Sequence, residues 1–324
     1  MHALALRNPA DRRTLLWVGI TAALVALAYA MPGLAPWLSI VCCYFALSCG
    51  IIAHNHNHCP TFKSRRTNFW FSNIISIFYG YPTFAWVPTH NLNHHKFTNA
   101  PGDNTATWRF TNRHNIWMAL SYFFFSSAWQ SPAISAYIKQ AKANNRGLYR
   151  QIVIQYTVWA GTHVGMLALG IALYGVTQGL LLWALVLGIP AFFSLWTIML
   201  FNYDQHAHTD AASKYAHSRS FLSPTLNFLL FNNGFHYVHH EHAGTHWSKL
   251  PALHAEVSHL IPAELQQKSL WWYWLKQYFV SPFFPSLATR QMGAPPHTLA
   301  SKTISSVTPA RSSEHLEVGP ASPA

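Results

Sequence analysis

Four apolar runs dominate the chain: Leu15 to Met31, Trp37 to about Ala53, Gln151 to about Tyr174, and Leu180 to Leu200. A helix needs about 20 consecutive apolar residues to cross a bilayer core. Inside hydrocarbon each backbone N–H and C=O must be paired within its own segment. Runs of this length and polarity therefore predict transmembrane helices. They come in two pairs, joined by the short uncharged links MPGLAP (31–36) and GVTQG (175–179), so each pair reads as a hairpin. Arg7, Arg12 and Arg13 precede the first hairpin, and Lys63, Arg65 and Arg66 follow it. Lys139, Lys142, Arg146 and Arg150 precede the second, and Asp204, Asp210 and Lys214 follow it. The bias of Lys and Arg toward the cytoplasm places the outer flanks of both hairpins, and both termini, on that side.

Composition agrees with a membrane protein. Only 9% of residues are charged and 51% are hydrophobic, against about 25% charged in soluble domains. The formal charge of +12 would raise nucleic acid as a partner in a soluble protein. Here the basic residues lie at the ends of apolar runs, where topology requires them, so no nucleic acid is expected. The basic-then-apolar N-terminal segment reads as a retained membrane helix rather than a signal peptide. Cys42, Cys43, Cys49 and Cys59 have no CxxC spacing, which argues against a zinc knuckle or a disulfide framework.

Two stretches between the hairpins are ambiguous: Phe69 to Val87 and Ile116 to Ile138. A single crossing by either would put the polar motifs on its two sides on opposite faces of the membrane. Both are therefore read as interfacial or re-entrant helices, as is the ring-dense stretch Ser269 to Phe284. The expected fold is an all-α integral membrane protein with four transmembrane helices in two hairpins, interfacial helices and a cytoplasmic histidine-rich headpiece. It occupies residues 1–289, with 290–324, rich in Pro, Ser, Ala and Thr, as a disordered tail.

The chemistry is carried by four clusters: HNHNH (54–58), HNLNHH (90–95), NYDQH (202–206) and HYVHH (236–240). Residues three and four apart share a helical face. That spacing aims His54 with His58, then His90 with His94 and His95, Asn202 with His206, and His236 with His239 and His240. His56 is out of phase and points elsewhere. Neutral imidazole is a good ligand for iron, zinc, nickel and copper. A buried cluster of imidazolium ions would instead repel itself and lose hydration. Nine convergent rings exceed what one octahedral ion can use, so two ions are expected. His163, inside an apolar run, is expected to hydrogen-bond a neighbouring helix instead of a metal. Asp204, Asp210 and Glu241 adjoin the clusters and are candidates to accept hydrogen bonds from ligand rings.

In these boxes and their placement around two apolar hairpins, residues 15–260 resemble the membrane fatty acid desaturase and hydroxylase superfamily. The resemblance implies a di-iron site (Fe2+/Fe3+) with O2 as co-substrate. It implies as ligands His54, His58, His90, His94, His95, His206, His236, His239 and His240, with Asn202 acting through water. The chain departs from the better-known acyl-CoA desaturases in its richer first box and its lack of a fused cytochrome b5-like domain. The leading expectation is an acyl desaturase acting on a fatty acyl lipid among membrane lipids. A lipid hydroxylase, or a decarboxylase giving a terminal alkene, is the alternative.

No GxGxxG, ferredoxin-like cysteine pattern or haem module is present, so no bound flavin or haem is expected. Electrons would come from an external ferredoxin or cytochrome b5-like donor with its reductase. A metal transporter is disfavoured because the polar clusters sit at helix ends and not at the membrane midplane. The aromatics Phe69, Trp70, Phe71, Phe78, Tyr79, Phe84 and Trp86, with others near Trp117 and Tyr122, are candidate walls of a substrate path.

Overall fold

The computed structural model describes residues 4–295. It is mostly helical. Helices α1 (Asp11–Ala30) and α2 (Ala35–His58) are joined by a single 3-10 turn, Pro32–Leu34. Helix α3 (Arg65–Tyr79) starts where the Ser64 side chain accepts from the Thr67 N–H at 3.3 Å. It stops at Gly80, whose φ of 97° is the left-handed conformation that glycine adopts without strain. A π-helix, Val87–His94, then runs into the short α4 (His95–Phe97). Helices α5 (Ile116–Asn144) and α6 (Arg146–Trp183) are capped by Asn115 and Asn145, which accept from the N–H of Met118 and Leu148. Helix α7 (Ile189–His206) follows a π-helical segment, Ala184–Gly188.

The C-terminal region is built from short pieces: α8 (Pro224–Leu229), α9 (His236–Glu241), α10 (Leu250–Val257) and α11 (Leu270–Trp274). A two-residue parallel pair ties it together, Ser220 opposite Gln266 and Phe221 opposite Gln267.

Three helices among the described residues are long and apolar enough to cross a membrane: Asp11–Ala30, Pro32–His58 and the 61-residue stretch Arg146–His206. The third is broken at Gly175, where φ is 80° and ψ is 167°. A Cβ on Gly170 would lie 3.2 Å from the Gly179 Cα. In an unbroken helix those two residues would stand about 14 Å apart along the axis, so the chain folds back at Gly175. The reversal begins in the GVTQG link. Helix α5, the ambiguous Ile116 to Ile138 stretch, is 29 residues long and is not one of these three helices.

Helix α2 packs against α1, α3 and, most extensively, α7. The approach is close because α2 has no side chain at Gly50. A Cβ there would sit 2.9 Å from the Ser194 Oγ and from the Tyr79 ring. Ser194 instead donates to the Ala46 carbonyl at 2.9 Å. The core at this end includes Ile52, Ile75, Phe201 and Phe221, all buried. The outward faces stay apolar, with Trp37, Ile40 and Val164 between 65% and 76% exposed. The stretch Ser269 to Phe284 likewise presents Trp271, Trp272, Phe279 and Phe283 outward.

Most of the expected tail, residues 296–324, lies outside the described residues. Its first residues are held. The Gln291 side chain donates to the Thr209 carbonyl at 2.7 Å, and the Met292 N–H to the His208 carbonyl at 3.1 Å.

Candidate metal centre

The tight α2–α7 contact sets the C-terminal ends of both helices side by side. His54 and His58 are on the last turns of α2, and His206 ends α7. The π-helix and α4 bring His90, His94 and His95, and α9 brings His236, His239 and His240. The rings form two groups. His54, His58, His90, His95 and His239 make one, and His94, His206, His236 and His240 the other. Within each group one nitrogen per ring lies within 4.8 Å of every other.

The grouping corrects the expected helical phasing. His90, His94 and His95 do not share one target, nor do His236, His239 and His240. Through the π-helical stretch, with its i→i+5 bonding, His90 pairs with His95 and His94 faces the other group. In the α-helical segments the i, i+4 pairs His54 with His58 and His236 with His240 stay together. Both HNLNHH and HYVHH therefore supply rings to both groups.

The donor geometry fits metal ions. The His54 Nε2 stands 2.9 Å from the Nε2 of both His90 and His239, yet it carries at most one hydrogen. The His95 Nε2 is 3.1 Å from the same two atoms. In the second group, His236 Nε2 is 2.8 Å from His206 Nε2 and 3.1 Å from His240 Nε2. Nitrogens at right angles around an octahedral metal with bonds of about 2.1 Å would be about 3.0 Å apart. The Nε2 atoms of His58 and His94 are buried without any hydrogen-bond partner, and a bound cation would satisfy them. Burial first, and neighbouring rings second, push His90, His95, His236, His239 and His240 well below the ordinary imidazole pKa. Each is thereby held in the neutral form that ligates.

Asp103 is the carboxylate that holds the His94 ring, and no motif marked it. Its Oδ2 lies 2.8 Å from the His94 Nδ1, and the Thr105 Oγ1 lies 2.8 Å from the same nitrogen. Thr105 also donates to the Asp103 Oδ1, and the Asn99 N–H to its Oδ2 at 2.6 Å. Burial alone would raise the Asp103 carboxyl. His94 and these hydrogen bonds outweigh it and hold the group at about 2. This arrangement leaves the His94 Nε2 free to face its group. The His206 Nδ1 is oriented by the His217 carbonyl at 3.2 Å.

The three acidic candidates read from the sequence do other work. Asp204 accepts from the Tyr278 hydroxyl and from the Trp274 Nε1. Asp210 accepts from the Ala212 N–H. Glu241 lies 3.3 Å from the His217 Nε2. His56, as expected, points away and meets Thr61 at 2.9 Å. His163 meets the Ile77 carbonyl on α3 at 3.0 Å. Cys59 is a free, half-buried thiol outside both groups.

A cavity of about 320 Å³ adjoins the rings, with His54, His90 and His236 in its wall. Asn202 lines it as well, its Nδ2 3.3 Å from the Tyr122 hydroxyl. The expected aromatic path is corrected here. Of the aromatics proposed for it, Tyr79 and Trp86 reach the cavity, while Trp70 and Trp117 are exposed on the outside. Much of the remaining wall comes from α5, with Phe123, Ser127, Gln130, Ser131 and Ile134, and from α7, with Leu195, Ile198, Met199, Asn202 and Gln205.

A family model described as fatty acid desaturase matches residues 30–274. Neither a curated protein nor a solved structure matches the chain.

Proposed function

This chain belongs to the fatty acid desaturase family, and on that premise we propose that it is an O2-dependent di-iron desaturase of a lipid acyl chain. Membership itself makes it an oxidoreductase working on acyl lipid in a membrane context. The observation that carries the finer reading is the pair of adjacent histidine groups, with rings from both facing an apolar-walled cavity. The overall conversion is R–CH2–CH2–R′ + O2 + 2e− + 2H+ → R–CH=CH–R′ + 2H2O. The two electrons come from an external ferredoxin or cytochrome b5-like donor with its reductase.

One iron would be held by His54, His58, His90, His95 and His239, the other by His94, His206, His236 and His240, with Asn202 acting through water. Bound there, iron supplies the reductive activation of dioxygen. The protein does the rest. Asp103 and Thr105 lock the His94 ring, and the His217 carbonyl orients His206. Ile51, Trp86 and Ile198 keep the chain's surroundings apolar and exclude water. The cavity wall sets which carbons approach the histidines, and reacting atoms must come to about 3–3.5 Å.

The same reading gives four membrane spans in two hairpins, with the break at Gly175 dividing the 61-residue stretch. Both termini and the histidine groups lie on the cytoplasmic side. The distribution of Lys and Arg supports that orientation, and so does the placing of His58 and His206 at neighbouring helix ends.

The test is turnover of deuterated acyl chains by the iron-loaded protein with O2 and a donor. Loss of two hydrogens identifies a desaturase. Gain of oxygen, or a terminal alkene one carbon shorter, transfers the assignment to hydroxylation or decarboxylation. Absence of stoichiometric iron, or O2-dependent turnover that survives H94A and H239A, would end the di-iron reading altogether.

A further inference from the structure

The cavity has one polar feature that the proposed reaction leaves unused. On α5 it is lined by Phe123, Ser127, Gln130, Ser131 and Ile134. These positions form one helical face extending about 16 Å. Gln130 is 6% exposed. Its Nε2 donates to the Ser126 carbonyl at 3.3 Å and the Ser126 Oγ at 3.0 Å, and lies 3.6 Å from the Met199 Sδ. Those contacts fix the amide. Its Oε1 accepts no hydrogen bond among the described residues, although it belongs to a side chain in the cavity wall. The neighbouring Ser127 Oγ is likewise without a bond, and Ser131 donates to the Ser127 carbonyl at 2.8 Å.

Apart from Ser127 and Ser131, several polar groups of the wall belong to the histidine end. Thr105 is bonded to His94, Gln205 to the Asn233 carbonyl, and Asn202 is one turn before His206. Gln130 is remote from them. Its neighbour Met199 precedes His206 by seven residues on α7, about 10 Å along the axis.

Charge narrows what can meet Gln130. No Lys, Arg, Asp or Glu lines the cavity among the described residues. A carboxylate or phosphate drawn to the Gln130 end, remote from the histidines, would be an unpaired buried charge. The open Gln130 Oε1, with the donor-and-acceptor hydroxyl of Ser127 beside it, calls for a neutral group that can donate. Resting on the proposed lipid-oxidising reading of this same site, we infer that the cavity selects chains whose polar end is an uncharged hydrogen-bond donor. A hydroxyl or an amide N–H meets that description, and the Gln130 Oε1 is its acceptor. Held there, the chain presents to the histidines carbons remote from its polar end.

The experiment is competition for photolabelling of the full-length, iron-free chain in lipid nanodiscs by a twelve-carbon alcohol bearing a diazirine. The length suits a cavity of about 320 Å³, room for roughly ten groups the size of a water molecule. Competitors are 1-dodecanol, dodecanoate and dodecane at pH 8. 1-Dodecanol should compete about tenfold better than either, the equivalent of one neutral hydrogen bond. In Q130M that preference should shrink by roughly three- to tenfold. In S127A, the milder change for the case in which Q130M does not fold, it should narrow in the same direction. Dodecanoate competing as well as 1-dodecanol, or either variant keeping the full preference, overturns the inference. Since labelling needs no iron, an intact alcohol preference without turnover would support the inference and sink the oxidase reading alone.

Discussion

The two histidine groups are built differently although the same sequence boxes feed them. The first has five rings, contributed by α2, the π-helix with α4, and α9. The second has four, and α7 replaces α2 as the supplier. The smaller group is the one braced from outside: His94 by Asp103 and Thr105, His206 by the His217 carbonyl. The other two rings of that group, His236 and His240, have buried Nδ1 atoms without a partner among the described residues, so the bracing is confined to His94 and His206. On the proposed di-iron reading, bracing of these two rings would offset the smaller ligand number, because a ring already held in one orientation loses less freedom on binding an ion.

That contrast can be broken by ligand removal. On the proposed di-iron reading, H206A should leave the four-ring group with three donors and reduce iron from two per chain to about one. Turnover should fall by a hundredfold or more, beyond the 10–100-fold typical of losing an outer-shell partner. H58A should keep more iron, since four rings remain. Equal iron loss in the two variants, measured by metal analysis, would dissolve the distinction.

Blocking the cavity should separate chemistry from binding. L195W places an indole in the wall that Leu195 shares with Ile198 and Met199. Iron content should stay at the wild-type value while acyl turnover drops by about tenfold to a hundredfold, as one misplaced ångström can cost.

D103N tests the brace. The amide keeps the shape but loses the charge-assisted bond to His94. Metal affinity should fall about 10–100-fold, and the loss should be confined to one iron per chain. If both irons weaken alike, Asp103 acts on the fold and not on one group.

The smallest effect belongs to N202A. If Asn202 serves the four-ring group through water, iron affinity should weaken only a few-fold, in line with the modest worth of one solvent-mediated hydrogen bond. Unchanged iron content with altered product distribution would instead make Asn202 a wall residue of the cavity alone.

Much of this molecule was legible before any coordinate. Long apolar runs and uncharged links predicted the long helices and the reversal in the second pair, because hydrocarbon admits few backbone solutions. Spacing of three and four found the rings that converge, since helical periodicity is a local property. The failures were equally physical. His94 and His95 part company because Val87–His94 is a π-helix, and no local propensity marks that register change. Asp103 lies on a loop nine residues past His94, where spacing carries no directional information. Asp204 lies two residues before His206 in sequence, yet its carboxylate faces Trp274 and Tyr278. The aromatic path held only at Tyr79 and Trp86, because a ring-rich segment suits a lipid-facing surface as well as a cavity.

By itself, then, the sequence determined a helical, membrane-compatible chain with a histidine-rich end, because both follow from periodicity and polarity along single segments. Only the tertiary structure decided how nine rings divide into five and four, which carboxylate braces His94, and where Gln130 faces the cavity. Each of those depends on the crossing of α2, α5 and α7, and contacts between distant segments are set by packing in three dimensions and not by the order of residues along any one of them.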